Sequence, residues 1–139
     1  MKKKLLSIVL PIGILGLIFG GILFMNYQQK VQYQEMINIA MSNEAKVVYE
    51  EYILSYIDSN AFQENGSIRN YTVDKNSLSY NPMGGLMVKI ILNSNSYLYI
   101  DFNLIDNGDG TYHSAYYSES PNLADMLDKK EEQSVKVYK

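Results

Sequence analysis

The chain has 139 residues and a formal charge of −3, and it contains no Cys, no Trp and a single His. The lack of Cys excludes disulfides, thiolate metal sites and Cys nucleophiles, and a single His disfavours multi-His zinc sites and hydrolases that use a His base. With 47% hydrophobic and 19% charged residues the composition is that of a folded protein, and the length predicts one domain.

The first 25 residues differ from the rest of the chain. Lys2, Lys3 and Lys4 precede an uncharged run of 21 residues, from Leu5 to Met25, whose only polar side chain is Ser7. A helix of this length measures about 31 Å, which is the thickness of the hydrocarbon core of a bilayer. Without the three lysines, nine basic residues remain against all 15 acidic ones, so residues 26–139 carry a formal charge of −6.

A basic start before an apolar run is also typical of a secretory signal peptide. Signal peptidase requires small residues at the cleavage position, whereas this run ends in bulky residues from Ile22 to Tyr27 and its Gly20 and Gly21 come too early. We therefore predict an uncleaved transmembrane helix at 5–25, and a secreted domain after cleavage is the alternative. Because the lysines are concentrated before the span, residues 1–4 are expected in the cytoplasm and the C-terminal domain outside the cell.

Apolar and Tyr residues recur at helical spacing after the span, and this stripe predicts an amphipathic helix. Ser42 and Asn43 are suited to cap a new helix, so we expect either one bent helix or two helices broken there. Asp58 to Asn60 mark the end, and Gly66 is expected in the left-handed conformation that closes the following turn. The stripe consists of Tyr33, Ile37, Ala40, Met41, Ala45, Val48, Tyr52, Tyr56 and Ile57.

Alternating apolar residues separated by short loops rich in Asn and Gly extend from residue 67 onwards. They predict an antiparallel meander with strands at residues 68–73, 86–92, 97–105 and 111–118. Short loops would place Val88 opposite Ile100, and Ile100 opposite Tyr116, which keeps the apolar residues on one face. That face consists of Leu86, Val88, Ile90, Leu98, Ile100, Phe102, Leu104, Tyr112 and Tyr116. We expect the amphipathic helix to cover it.

The same register places tyrosines, charges and amides on the opposite face of the sheet, with Tyr99 opposite Tyr117 and Asn103 opposite His113. Such a surface is typical of recognition, because Tyr contributes a large rigid contact area and a hydroxyl group. The alternative is that Tyr simply favours strands and that a biased genome explains the 13 Tyr residues. The candidate binding residues are Tyr97, Tyr99, Asp101, Asn103, His113 and Tyr117.

The last predicted element is a short helix at 122–132. Ser120 is suited to cap it, Pro121 fits its first position, and Leu123 begins a narrow apolar edge. The domain outside the membrane is expected to end with this helix, at residue 132. We predict that residues 133–139 form a flexible tail, with a short edge strand at 135–138 as the alternative.

Few residues form a recognisable chemical motif. Residues 106–110 are predicted to form a hairpin turn, because a calcium loop needs ligands at alternate positions and a final Glu. Asp101 and His113 could act as an acid/base pair, but no nucleophile or oxyanion donor accompanies them. We therefore predict no enzyme, no metal and no other cofactor, and a cell-envelope enzyme is the less favoured alternative. The charge of −6 disfavours nucleic acid as a partner.

A turn motif, Asn81-Pro82-Met83-Gly84-Gly85, leads from Tyr80 into the strand at Leu86. Pro fixes one backbone angle and Gly permits positive φ, so we predict a structural turn, with a ligand-contacting loop as the alternative. Together with the basic start, the single span and a helix carrying Glu35-Met36-Ile37 and Ser42-Asn43-Glu44-Ala45-Lys46, this motif resembles an uncharacterised family of small Gram-positive bacterial proteins called domain of unknown function 1310. The resemblance covers nearly the whole chain and implies a membrane-anchored extracellular domain, without an activity or a catalytic residue.

The predicted fold class is α+β. It comprises an N-terminal transmembrane helix, an amphipathic helix or helices packed on a roughly four-stranded antiparallel sheet, and a short C-terminal helix. We expect a single-pass, membrane-anchored extracellular domain that binds a protein partner at the cell envelope. An immunity protein and an envelope accessory factor both match this description.

Overall fold

A computed structural model describes the backbone of residues 2–137 and the side chains of residues 11–133. The chain divides into two compact units, Met1–Glu35 and Met36–Lys139. Helix α1 runs from Lys2 to Ala40 and contains the predicted span at 5–25. Within the described residues, Pro11–Ala40 is the one helical stretch that is long and apolar enough to cross a membrane, and a signal sequence has the same properties.

A new helix begins directly after α1, as the capping residues predicted. Helix α2 spans Asn43–Tyr52, and the Oγ atom of Ser42 accepts a hydrogen bond from the backbone N–H of Ala45 at 3.1 Å. The chain then continues as a π-helical turn, Ile53–Ile57, which ends where the N–H of Asp58 donates to the carbonyl of Ile53 at 2.8 Å. Asp58 therefore ends the helix at the predicted position.

The carboxylate of Asp58 also holds the segment after the helix. It accepts hydrogen bonds from the backbone N–H groups of Asn60, Ser67 and Ile68. Partial burial acts to raise the pKa of Asp58, but these hydrogen bonds and the charge of Lys130 outweigh it and lower the pKa below its ordinary value of 3.8. The ionised form of Asp58 thus stabilises the folded state.

We expect this contribution of Asp58 to be fully present near neutral pH and to be lost as the pH falls from about 4 through the depressed pKa. Thermal unfolding of the full chain in detergent, followed by circular dichroism from about pH 7 to pH 2, would measure it. The Asp58→Asn variant should have a lower midpoint than the wild type at neutral pH. The two midpoints should converge in acid, where both side chains are uncharged. A difference that stays constant with pH would contradict the assignment.

Gly66 does not have the left-handed backbone conformation that the sequence analysis predicted for it. Gly66 has no positive φ, and the left-handed residue of this loop is Phe62, with φ of 68°. A Cβ atom at position 66 would lie 2.1 Å from the carbonyl oxygen of Asn60. Glycine is therefore required here by the close approach of two backbone segments, and not by its own conformation.

The sheet of the second unit is antiparallel, as predicted, but it has five strands. They are β1 (Tyr71–Val73), β2 (Ser79–Tyr80), β3 (Leu86–Leu92), β4 (Tyr99–Asp106) and β5 (Tyr112–Glu119). The order is β1-β3-β4-β5, and the short β2 also pairs with β3. Strand β2 and the 3-10 turn before it, Lys75–Ser77, were not predicted, and β1 is shorter than the predicted strand at 68–73.

The predicted register of β3 against β4 is wrong by two residues. Val88 pairs with Phe102 and not with Ile100, because the connecting loop is longer than the predicted three residues. Asn93 and Ser94 both have positive φ, and Leu92 and Leu98 close the loop through a backbone hydrogen bond of 2.8 Å. A shift of two residues preserves the face of each side chain, so the apolar face of these two strands is as predicted.

A β-bulge between β4 and β5 has a larger consequence. Leu104 pairs with Ser114, but Phe102 pairs with Tyr117, so β5 contains one additional residue between these two pairs. The Oγ atom of Ser114 compensates for the interrupted ladder, since it accepts from the N–H of Asn103 at 3.1 Å and donates to the carbonyl of Tyr116 at 2.6 Å. The extra residue reverses the faces of the side chains after it. Tyr117 therefore lies on the helix side of the sheet and Tyr116 on the opposite side, which contradicts both predictions.

The core lies between the sheet and α2. It includes the predicted residues of β3 and β4, but Leu98 and Tyr112 are only partly buried. The stripe prediction is wrong for Tyr33, Met41 and Tyr56, which are exposed, and it missed Tyr49 and Ile53, which are fully buried. The buried hydrophobic residues are Ala40, Ala45, Val48, Tyr49, Ile53, Ile57, Ala61, Ile68, Leu78, Leu86, Val88, Ile90, Leu92, Ile100, Phe102, Leu104 and Leu123.

Helix α3 spans Pro121–Val137 and begins as predicted. The Oγ atom of Ser120 accepts from the N–H of Leu123 at 3.3 Å, and Leu123 is buried in the core. The helix is longer than the predicted 122–132, so residues 133–137 are helical and form neither a separate tail nor an edge strand. Residues 138–139 of the predicted tail lie outside the described residues.

Candidate functional site

The structure does not bring the six candidate binding residues together on one surface. Tyr99 and Asp101 lie on the sheet face opposite α2, which we call the outer face and which also carries Met87, Lys89 and Tyr116. Tyr117 lies in a cleft on the helix side of β5, and His113, which pairs with Ile105 before the bulge, also borders this cleft. Asn103 is buried beneath the turn motif, and Tyr97 is exposed in the loop between β3 and β4. The expected pairs Tyr99 with Tyr117 and Asn103 with His113 do not occur.

Three side chains contact each other at the centre of the outer face. Lys89 and Asp101 are directly opposed on β3 and β4, and the Nζ atom of Lys89 is 3.9 Å from Oδ1 of Asp101. The same Nζ atom lies 4.0 Å from the centroid of the Tyr99 ring, which is a cation–π contact. Beside them, the hydroxyl of Tyr116 donates to the sulfur of Met87 at 3.5 Å. The outer face therefore presents one charge of each sign beside two tyrosine rings.

This ion pair stabilises the fold only slightly. The side chains of Lys89 and Asp101 are each 30% exposed, and a pair this open contributes at most about 1 kcal/mol. Burial raises the pKa of Asp101 above its ordinary value, and the charge of Lys89 offsets only part of this effect. Both charged side chains reach the surface of the outer face.

Asn103 connects β4 to the turn motif. Its side chain is 4% exposed, and its Nδ2 atom donates to the carbonyl of Gly84 at 3.2 Å. The motif itself is closed by two backbone hydrogen bonds of 2.9 Å, from Asn81 to Gly85 and from Gly84 to Asn81. Both glycines have positive φ, of 106° and 94°. The predicted turn is thus formed, with the exposed Met83 at its tip.

A cleft lies between α2, the π-helical turn and β5, and we call it the tyrosine cleft. Its volume is about 400 Å³. The rings of Tyr52 and Tyr117 are stacked, with centroids 4.2 Å apart and planes 12° apart, and Tyr56 lies 5.1 Å from Tyr52. The lining residues are Val48, Glu51, Tyr52, Ser55, Tyr56, Tyr112, His113, Ser114 and Tyr117.

Tyr52 is held at the base of this cleft by Glu119, whose carboxylate accepts a hydrogen bond from the phenol. Burial and this hydrogen bond raise the pKa of Tyr52 well above its ordinary value of 10.0. The phenol therefore remains protonated at any physiological pH. The ring of Phe102 meets Tyr52 and Tyr117 edge-on, at 5.7 and 5.5 Å, and so fixes the stacked pair from the core side.

The proposed acid/base pair is not formed. Asp101 contacts Lys89, whereas the Nδ1 atom of His113 lies against the side-chain oxygen of Asn107. Residues 106–110 form the predicted hairpin turn, in which the side chain of Asp109 accepts from the N–H of Thr111 at 2.9 Å. Among the side chains that the structure describes, no three His, Asp or Glu residues are grouped so that they could hold a metal ion.

The family model described as "Protein of unknown function (DUF1310)" matches residues 6–126, which include the turn motif, the whole sheet and α2. The chain belongs to the DUF1310 family. Comparison with curated proteins and with solved structures found no match. The resemblance inferred from the sequence is thus confirmed, and the DUF1310 match extends over both the outer face and the tyrosine cleft.

Sequence reasoning missed the cleft in this DUF1310 protein for two reasons. It assigned Tyr56 to the core stripe, because it continued ideal helical spacing through Ile53–Ile57, which is a π-helical turn. It also placed Tyr117 on the outer face, because nothing in the alternation of β5 indicated a bulge. The one available indication was the density of tyrosines on both elements, which the sequence shows without indicating how they meet.

Proposed function

We propose that this DUF1310 protein is a single-pass membrane protein that binds a protein partner outside the cell through the outer face of its sheet. The observation that carries the proposal is the contact of Lys89 with both Tyr99 and Asp101. Tyr is enriched in the central part of protein interfaces, where it accounts for much of the binding energy, and a charge pair beside such rings gives the interface specificity.

The membrane part of the proposal is supported by α1. Its segment Pro11–Ala40 is long and apolar enough to span a bilayer. The three lysines before the span favour a cytoplasmic N-terminus, and the bulky residues at its end disfavour cleavage. If the segment were instead a cleaved signal, the same domain would be secreted and its outer face would be unchanged.

The arrangement of the outer face favours binding over catalysis. Lys89 and Asp101 pair with each other, and among the described residues neither side chain is hydrogen-bonded to a serine or threonine hydroxyl, as activation of a nucleophile for acyl transfer would require. A partner that offers one acceptor, one donor and an apolar surface would match Lys89, Asp101 and the tyrosine rings. An immunity protein and an accessory subunit of an envelope complex would both use such a face, and a toxin or secretion gene beside this one would distinguish them.

Crosslinking in cells and subsequent capture of the tagged full chain test the proposal. We expect Tyr99→Ala and Asp101→Ala to reduce the yield of the crosslinked partner by about tenfold or more, because truncation of a central Tyr or charge costs about 1–2 kcal/mol or more. Leu54→Ala is the control, since it removes an exposed apolar side chain that lies on the helix side of the domain and does not line the tyrosine cleft. Equal losses in all three variants, or no crosslinked partner, would contradict the assignment.

The membrane and medium fractions of the same cells report whether the chain stays anchored.

A further inference from the structure

The tyrosine cleft is independent of the outer face, and its chemistry is different. Its wall is formed by the rings of Tyr52, Tyr56 and Tyr117, of which Tyr56 is 72% and Tyr117 is 43% exposed. The faces of aromatic rings carry partial negative charge and attract cations. A cavity of about 400 Å³ is within the range that holds small organic ligands.

A carboxylate lies in the same cleft without a counterion. Glu51 is exposed, and it makes no ion pair or side-chain hydrogen bond among the described residues. The lining contains no Lys and no Arg, so Glu51 is the only fixed charge in it. The hydroxyls of Tyr56 and Tyr117 also have no hydrogen-bond partner within the described part of the chain. The cleft thus offers a negative charge and hydroxyl acceptors next to aromatic rings.

The backbone of the cleft is specialised as well. Ser55 and Tyr56 belong to the π-helical turn Ile53–Ile57, a rare conformation that is common at functional sites. On the opposite wall, the bulge in β5 turns Tyr117 towards Tyr52. The π-helical turn lies on one side of the cleft and the β-bulge on the other. These two departures from regular geometry bring the three rings together.

We propose that the tyrosine cleft binds an organic ammonium group, with the rings of Tyr56 and Tyr117 against the cation and Glu51 as its counterion. Two sources share this chemistry, namely the side-chain amine of a lysine and a small free amine such as a quaternary ammonium compound. Phosphate and carboxylate ligands are disfavoured by the charge of Glu51. The inference does not depend on the outer-face proposal, because Lys89, Tyr99 and Asp101 do not line the cleft.

Titration of the full chain, monitored by nuclear magnetic resonance, tests the proposal. A maltoside detergent is required, because a choline-based detergent would occupy the site. The probes are choline, its neutral isostere 3,3-dimethyl-1-butanol, and N-acetyl-lysine methylamide, each up to about 50 mM, since single cation contacts give weak affinities. Binding of choline indicates a quaternary amine and binding of the lysine derivative indicates a protein side chain, and either result supports the proposal.

We expect the neutral isostere to bind at least about tenfold more weakly than choline, and Glu51→Gln and Tyr56→Ala each to weaken cation binding by about fivefold. Tyr99→Ala is the matched control and should leave cation binding unchanged, so failure here is distinguishable from failure of the outer-face proposal. Gln keeps the size of Glu51, and Tyr56 is exposed, so both variants should fold. Equal binding of the isostere, unchanged binding in Glu51→Gln, or saturation by neither cation would overturn the proposal.

Discussion

Replacement of Gly85 by Ala is expected to destabilise the folded domain by about 3 kcal/mol or more. Gly85 has a φ of 94°, a conformation that L-residues rarely adopt. A Cβ atom there would lie 2.5 Å from Oδ1 of Asn103, 2.6 Å from Cδ1 of Ile105 and 2.7 Å from the carbonyl oxygen of Leu104. The Ile105 methyl can move, but the Leu104 carbonyl is backbone and Asn103 is buried and bonded to the turn. The added methyl group would therefore push the turn away from β4.

Gly84 provides the matched control for this substitution. It also has positive φ, of 106°, but a Cβ atom at this position would have no heavy atom within 4 Å. Gly84→Ala should therefore cost only the conformational strain, about 1–2 kcal/mol. Thermal unfolding of both full-length variants in detergent would separate strain from steric clash. Equal destabilisation by the two substitutions would show that the close packing of Gly85 against β4 contributes nothing.

The parts of the fold that could be predicted are those with a local physical cause. Strand β3 was predicted with its observed bounds, Leu86–Leu92, because this short and mostly apolar run lies between two turns rich in Gly, Pro and Asn. The break at Ser42 and the start of α3 at Pro121 depend on helix capping. Because a cap involves only a few neighbouring residues, both positions could be predicted from the sequence. The turn at 81–85 was predictable because Pro and Gly restrict the backbone directly.

The parts that could not be predicted depend on how two segments meet. A register shift of two residues between β3 and β4 leaves the alternation unchanged, so the sequence contains no trace of it. The bulge in β5 places Tyr117, instead of Tyr116, on the helix side of the sheet. Because both residues are Tyr, the composition of the strand does not indicate which of them faces the helix. The candidate site was affected most by this limit, because the face of Tyr117 decides whether the tyrosines form one surface or two. Only Tyr99 and Asp101 remain together as predicted.

Replacement of Tyr49 by Ala is expected to destabilise the domain by about 3–5 kcal/mol, as for other large buried aromatic residues. Tyr49 is fully buried, and its ring contacts Phe102 at 5.0 Å and Tyr71 at 6.0 Å, so it joins α2 to two strands of the sheet. Its hydroxyl donates at 3.0 Å to the carbonyl of Ala40. This carbonyl is at the C-terminal end of α1, where the helix itself supplies no donor.

Tyr49→Phe separates the two contributions, since it keeps the ring and removes only the hydroxyl. The carbonyl of Ala40 then loses its donor in a buried position, which should cost about 1–2 kcal/mol. Burial holds the pKa of Tyr49 far above its ordinary value, so the phenol is neutral and the comparison with Phe is not complicated by titration. Unfolding of the full chain in urea and detergent would measure both variants at one pH. If Phe were as destabilising as Ala, the hydrogen bond to Ala40 would dominate, and if Phe were neutral, water would have to replace the donor at the end of α1.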